Sequence, residues 1–165
     1  MNITEFIHGQ PDSPTKTLRI KVMRPVFSRE IIREDMPAYM ATDRFTSPQQ
    51  VYEMFRDLSL ETKEHFLSLH LDGKNRIICL DRVSTGSLNQ SVVHVREVLK
   101  SALLSSAAAL LMIHNHPSGD PSPSTEDLVI TKRLKEACEL MGIPLLDHIV
   151  IGNGQYVSFV ERGLL

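Results

Sequence analysis

At 165 residues and 42% hydrophobic, the chain is long enough to bury one real core and short enough that a second is not expected. Eighteen basic against 20 acidic residues give a net charge of −2, which excludes a global pull toward nucleic acid or an anionic membrane and leaves only a local basic patch open. No apolar run approaches the ~20 residues of a membrane span. The opening MNITEFIHGQ lacks the basic and apolar regions of a signal peptide, and Cys79 and Cys138 form no Cys-x-x-Cys pair. A cytoplasmic protein with two buried free thiols is the reading.

Residues 1–45 read as an N-terminal arm. The first 16 are polar with two prolines and carry no periodic pattern. Residues 18–22, Leu-Arg-Ile-Lys-Val, alternate apolar and basic and predict one half-exposed strand, which Pro25 keeps from running far in a sheet interior. Ser47-Pro48-Gln49-Gln50 opens a helix, with a cap, a proline in the first turn and a glutamine three after the cap. Val51, Met54, Phe55 and Leu58 follow at helical spacing.

Residues 66–71 and 77–83 predict two strands around Asp72-Gly73-Lys74-Asn75, since Asp-Gly between apolar runs is a hairpin signal; Thr85-Gly86-Ser87 closes the unit. Val95, Val98, Leu99, Ala102 and Leu103 mark an amphipathic helix. Residues 107–113 are apolar at every position, which predicts a central strand covered on both faces. Residues 124–141 predict a helix stopped by Gly142 with Pro144 just beyond, its inward seam being Thr131, Leu134, Cys138 and Met141. Residues 145–151 and 156–160 predict a closing hairpin around Gly152-Asn153-Gly154. The order gives an α/β fold, a mixed β-sheet between helices.

The chemistry gathers at residues 107–127, AAALLMIHNHPSGDPSPSTED. On a strand, positions i and i+2 share a side, so His114 and His116 can share one ion. Buried imidazoles need hydrogen-bond partners, and the preceding ALLMI offers none, so a metal explains the pair better than packing. Counting back four from Thr131 reaches Asp127, which puts that carboxylate on the helix face turned to the sheet. Two imidazoles and a carboxylate are the ligand set of a catalytic zinc with an open fourth position. Ser124 and Asp127 also form a near-miss capping box, in which Asp is expected to be too short to make the return bond well.

The spacing His-x-His-Pro, six residues, Ser-x-x-Asp resembles the JAMM (MPN+) metallopeptidase motif. The wording HNHPSGDPSPS, with DHIVIG and SFVERGLL downstream, narrows the resemblance to the RadC family over residues 46–165. That resemblance implies α/β/α layering of the cytidine-deaminase-like, three-layer type. It implies one zinc per chain held by His114, His116 and Asp127, and a role for Ser124 beside the developing oxyanion. It also implies an upstream glutamate as general base, for which Glu64 is the best match by position and Glu97 the competitor; Glu126 points off the seam. His148 and Asp147 match the family's Asp-His, with no role implied by spacing, and His70 and His94 carry no signal.

The expected function is therefore a metal-dependent hydrolase, a zinc metallopeptidase or isopeptidase acting on a protein or peptide substrate. Two other classes stay open. One is a DNA-repair-associated factor, which the charge and the absence of a helix-hairpin-helix pattern in residues 1–45 do not support. The other is a metal-stabilised binding module without turnover. A deaminase would need His-x-Glu and a downstream Cys-x-x-Cys, and the sequence has neither.

Overall fold

A computed structural model describes residues 17–36, 38, 42–86 and 93–165; the loose arm expected over residues 1–16 lies outside them, as does Ser87. Five strands form one sheet in the order β2-β1-β3-β4-β5, with β1 (Glu64–Leu71), β2 (Ile77–Gly86), β3 (Ala109–Asn115), β4 (Leu145–Ile151) and β5 (Tyr156–Ser158). The sheet is mixed: β3 and β4 run parallel, and the other neighbours are antiparallel. Three α-helices, α1 (Pro48–Phe55), α2 (Val95–Leu104) and α3 (Thr125–Met141), accompany it, with a short 3₁₀ segment, Arg56–Leu60, after α1.

The alternation of side chains along each strand sorts the core into two layers. On one face, Val51 and Phe55 of α1 pack on Leu67, Leu69, Leu111, Ile113, Ile149 and Ile151. On the other, Val98 and Ala102 of α2 with Leu134 and Cys138 of α3 pack on Phe66, Leu110, Met112 and Leu145. β3 is the middle strand and is buried at all seven positions, as a strand covered on both faces must be. The expected three layers are present, and His114 falls in phase with Leu110 and Met112, on the face of α2 and α3.

Local chemistry accounts for the element ends. Ser47 caps α1 by accepting the Gln50 N–H at 3.2 Å, while the Gln50 carboxamide accepts from the Thr46 N–H and donates to the Arg44 carbonyl, both at 2.9 Å. In the hairpin turn, Asp72 accepts from the Lys74 and Arg76 N–H groups at 2.8 and 2.9 Å, and these bonds lower its pKa to about 2. Gly142 ends α3 in the left-handed region at φ 69°.

Three expectations need correction. Residues 18–22 form no strand: Leu18, Ile20 and Val22 are 86%, 75% and 69% exposed, because an alternating pattern gives a strand two faces but no partner. Leu103 and Met141 are more exposed than the rest of their helical seams, each lying in the last turn, where the chain leaves the helix. Cys138 is buried and its thiol is pushed up to about 11 by that burial, but Cys79, on the edge strand β2, is only half-buried. No helix among the described residues is long and apolar enough to cross a membrane.

Candidate metal centre

The parallel pair β3–β4 and the helix between them build the site. His114 is the second-last residue of β3, the chain continues from Asn115 through His116 into the Pro/Gly/Ser turn, and α3 brings Asp127 back over the strand end. His114 Nε2 lies 3.2 Å from Asp127 Oδ1, His116 Nε2 lies 3.3 Å from Asp127 Oδ2, and the two Nε2 atoms are 3.0 Å apart. Asp127 and His114 are buried, and His116 is half-buried.

The hydrogen-bond partners fix where the imidazole protons are. A carbonyl can only accept, so the Thr131 hydroxyl, 2.6 Å from the Asp127 carbonyl, spends its single proton there. Its oxygen must then accept from His148 Nδ1–H at 2.6 Å, which leaves His148 Nε2 bare to accept from His114 Nδ1–H at 2.8 Å. His114 Nε2 therefore carries a lone pair. His116 Nδ1 lies 2.7 Å from the Asp120 carbonyl and must donate to it, so in the neutral ring His116 Nε2 is bare as well. Two lone pairs and a carboxylate thus face one another with no proton among them, a cluster that only a cation satisfies.

The spacing suits such a cation: donors bound at about 2.05 Å in a tetrahedron stand about 3.3 Å apart, close to the 3.0–3.3 Å between these atoms. The group can hold a metal ion. Without one, a proton does part of the work. The Asp127 carboxylate, accepting from the protonated ring, raises the pKa of His116 above the usual imidazole value, against the opposing effect of burial. Burial pushes the Asp127 carboxyl up, but its neighbours His114 and His116 and the Ser124 hydroxyl outweigh it and hold it well below the ordinary carboxylate range. His148, wholly buried beside His114, is held neutral by its burial, in keeping with the relay.

The capping box is complete. Ser124 Oγ accepts the Asp127 N–H at 3.1 Å, and Asp127 Oδ2 accepts the Ser124 N–H at 2.7 Å. The expected shortfall of aspartate is absent, because the same carboxylate both closes the cap and faces the histidines. The Ser124 hydroxyl also donates to Asp127 Oδ2 at 2.7 Å.

Glu64 opens β1 on the same face as Phe66, and Phe66 is paired with His114. Glu64 lies two residues before that last β1–β3 pair, as His116 lies two residues after it, and the Glu64 charge helps to raise the His116 pKa. Glu97 is engaged elsewhere, bound to Lys100 and 3.6 Å from Arg96 in the first turn of α2. Glu126 is exposed. The sequence favours His148 as a core histidine or a support behind the ligands rather than a fourth ligand, and the structure agrees: the β3–β4 register, which pairs it with Met112, places it buried beside His114. Asp147 braces the end of the sheet instead, accepting from Ser158 Oγ at 2.5 Å and the Val160 N–H at 3.1 Å.

A family model described as the RadC-like JAB domain matches residues 45–164. The chain belongs to the RadC family. Among its relatives are a UPF0758 protein of Pelobacter propionicus, 62% identical over 124 residues that make up 74% of this chain and 54% of that protein. A second, from Geotalea uraniireducens, is 50% identical over 153 residues, 92% of this chain and 65% of that protein. An archaeal one, from Methanosarcina mazei, is 51% identical over 123 residues, 74% and 54% of the two chains. The RadC-like chain spans about half the length of most of these curated relatives.

Proposed function

We propose that this RadC-family chain is a metal-dependent hydrolase, a zinc peptidase or isopeptidase. The observation that supports it most is the geometry of the centre: two imidazole nitrogens and a carboxylate within 3.3 Å of one another, each ring tied by its other nitrogen to His148 or the Asp120 carbonyl. A zinc bound there would polarise a scissile carbonyl and bring the pKa of a coordinated water down to ~7. Glu64, near His116 at the start of β1, would serve as the base that accepts a proton during hydrolysis and returns it to the departing amine. His114 and His116 stay neutral, their outer nitrogens tied to His148 and the Asp120 carbonyl. Ser124 turns its hydroxyl proton from Asp127 to the tetrahedral oxyanion, at a helix N-terminus whose potential already favours negative charge.

Elemental analysis of the purified chain tests the centre: about one zinc per chain is expected, lost in His116→Ala. A wild-type chain that takes up no metal after zinc is offered at neutral pH sinks the reading. Glu64→Gln is expected to keep the metal and lose about 10²–10⁴-fold of any peptide or isopeptide hydrolysis found by screening. Unchanged turnover in that variant removes Glu64 from the mechanism.

A further inference from the structure

The residue between the two histidines points away from them and holds the peptide on either side of Glu64. Asn115 is one position out of phase with His114, so its side chain turns to the face of the sheet that α1 covers, where it is wholly buried. Its Oδ1 accepts the His65 N–H at 2.8 Å, and its Nδ2 donates to the Lys63 carbonyl at 3.0 Å. An N–H needs an acceptor and a carbonyl a donor, so the carboxamide fits in only one orientation.

These two bonds replace a rung of the sheet. The pairing of β1 with β3 ends at Phe66 and His114. One step further, where His65 would face Asn115 main chain to main chain, the Asn115 carboxamide stands in for the peptide group. On its other side the β3 chain stays paired with β4 past this point, with the His116 N–H donating to the Ile151 carbonyl at 3.0 Å. Main-chain pairing of β1 with β3 therefore stops short of Glu64 and His116, and one side chain spans the gap left in the ladder.

We propose that Asn115 is a positioning residue, whose carboxamide fixes the 63–65 backbone so that Glu64 is held near His116 across this gap. The inference rests on the reading of Glu64 as the base. Asn115 never touches metal or substrate, so its loss should leave metal uptake intact while freeing Glu64. Leucine keeps the volume without the bonds. Aspartate keeps the acceptor for His65 N–H but sets an oxygen against the Lys63 carbonyl.

The test loads wild-type, Glu64→Gln, Asn115→Leu and the double variant with cobalt(II). The pH midpoint is read at which the cobalt visible spectrum changes as bound water ionises. Amide exchange is followed at residues 63–66. All four should bind one cobalt per chain, Glu64→Gln and Asn115→Leu should move the midpoint by the same amount, and the double variant should move it no further. Exchange at 63–66 should rise in Asn115→Leu and not in Glu64→Gln. A shifted midpoint in Glu64→Gln with a wild-type midpoint in Asn115→Leu, or additive shifts in the double variant, overturns the positioning role and leaves Glu64 standing. A wild-type midpoint in Glu64→Gln overturns both, and a wild-type chain that takes up no cobalt overturns the metal reading with them. Should Asn115→Leu fail to fold, Asn115→Asp serves: a partial shift is expected, and none counts against the proposal.

Discussion

Asp127 meets two demands with one carboxylate, and the residue type follows from that. A glutamate would close the capping box from further out; aspartate keeps the oxygens close to the helix start, where they reach both the Ser124 N–H and the two imidazoles. The relay behind His114 has the same economy, because Thr131 and His148 leave its metal-facing nitrogen no proton. Replacing Thr131 by valine or His148 by phenylalanine should therefore weaken metal binding about 10–100-fold, read by competition with a coloured chelator. An unchanged affinity would mean that the relay does not set the tautomer. The metal-free centre also has a defined pH behaviour. His116 binds its proton more tightly folded than unfolded, so its contribution is complete below about 6.5 and is lost as pH rises through the raised folded value. Asp127 has the opposite sign: its contribution is present above about 3.8 and is lost as pH falls toward the depressed folded value. Melting of the metal-free protein should peak between about pH 4 and 7. Zinc affinity should fall as pH drops through the His116 value, since the ion must displace that proton. A melting temperature that is flat across this range in wild type and His116→Ala alike would contradict the coupling.

At the scale of elements, the parts legible in the sequence are those fixed by neighbours along the chain. The Ser47 cap, the Asp72-Gly73 turn and the Gly142 stop each depend on a few adjacent residues and formed as expected. The central strand expected over residues 107–113 runs two residues later, Ala109–Asn115, because its pairing with β1 and β4 carries it past the apolar run. His114, His116 and Asp127 were legible from local pattern too, being two same-side strand positions and one helix face. Two features were not. Residues 18–22 have a strand's alternation but no partner strand among the described residues, and the contact of His148 with His114 exists only because β4 lies parallel beside β3. Gly152 shows the same limit from the other side. It reads as a turn glycine, yet its φ is not positive; what it supplies is space. A Cβ there would stand 2.4 Å from the Gly119 carbonyl oxygen and 2.6 Å from Pro121 Cδ, in the loop whose Asp120 carbonyl orients His116. Gly152→Ala should cost about 1–3 kcal/mol in a denaturation experiment. It should also weaken zinc binding, because the displaced loop no longer holds Nδ1 of His116. Lost stability with unchanged metal affinity would uncouple the loop from the centre.

For the molecule as a whole, the same contacts bear on where the folded unit starts. The arm was set at residues 1–45 and the domain at 46–165, and the family match begins at residue 45. Backbone groups just before that point are nonetheless built into the sheet. The Phe45 N–H donates to the Asn75 carbonyl at 2.8 Å, and the Ile77 N–H donates to the Asp43 carbonyl at 2.6 Å, so residues 43–45 clamp the β1–β2 turn. The Arg44 carbonyl and the Thr46 N–H meet the buried Gln50 carboxamide and fasten the start of α1. A chain begun at residue 42 retains all four bonds, whereas one begun at residue 47 loses them together and leaves a buried carboxamide without two of its partners. At about 1 kcal/mol net for each bond, the shorter chain should melt several degrees lower. The longer one keeps the clamp and loses the Arg33–Asp57, Arg56–Asp35 and Arg82–Glu30 ion pairs. Surface ion pairs contribute little, so it should melt below the full chain and above the shorter one. The centre lies at the opposite end of β1 from this clamp, so both chains should bind one zinc. Equal melting of the two would show that residues 42–46 rest on the domain without holding it. Loss of zinc from the shorter chain would show that the clamp reaches through β1 to Glu64 and the centre itself.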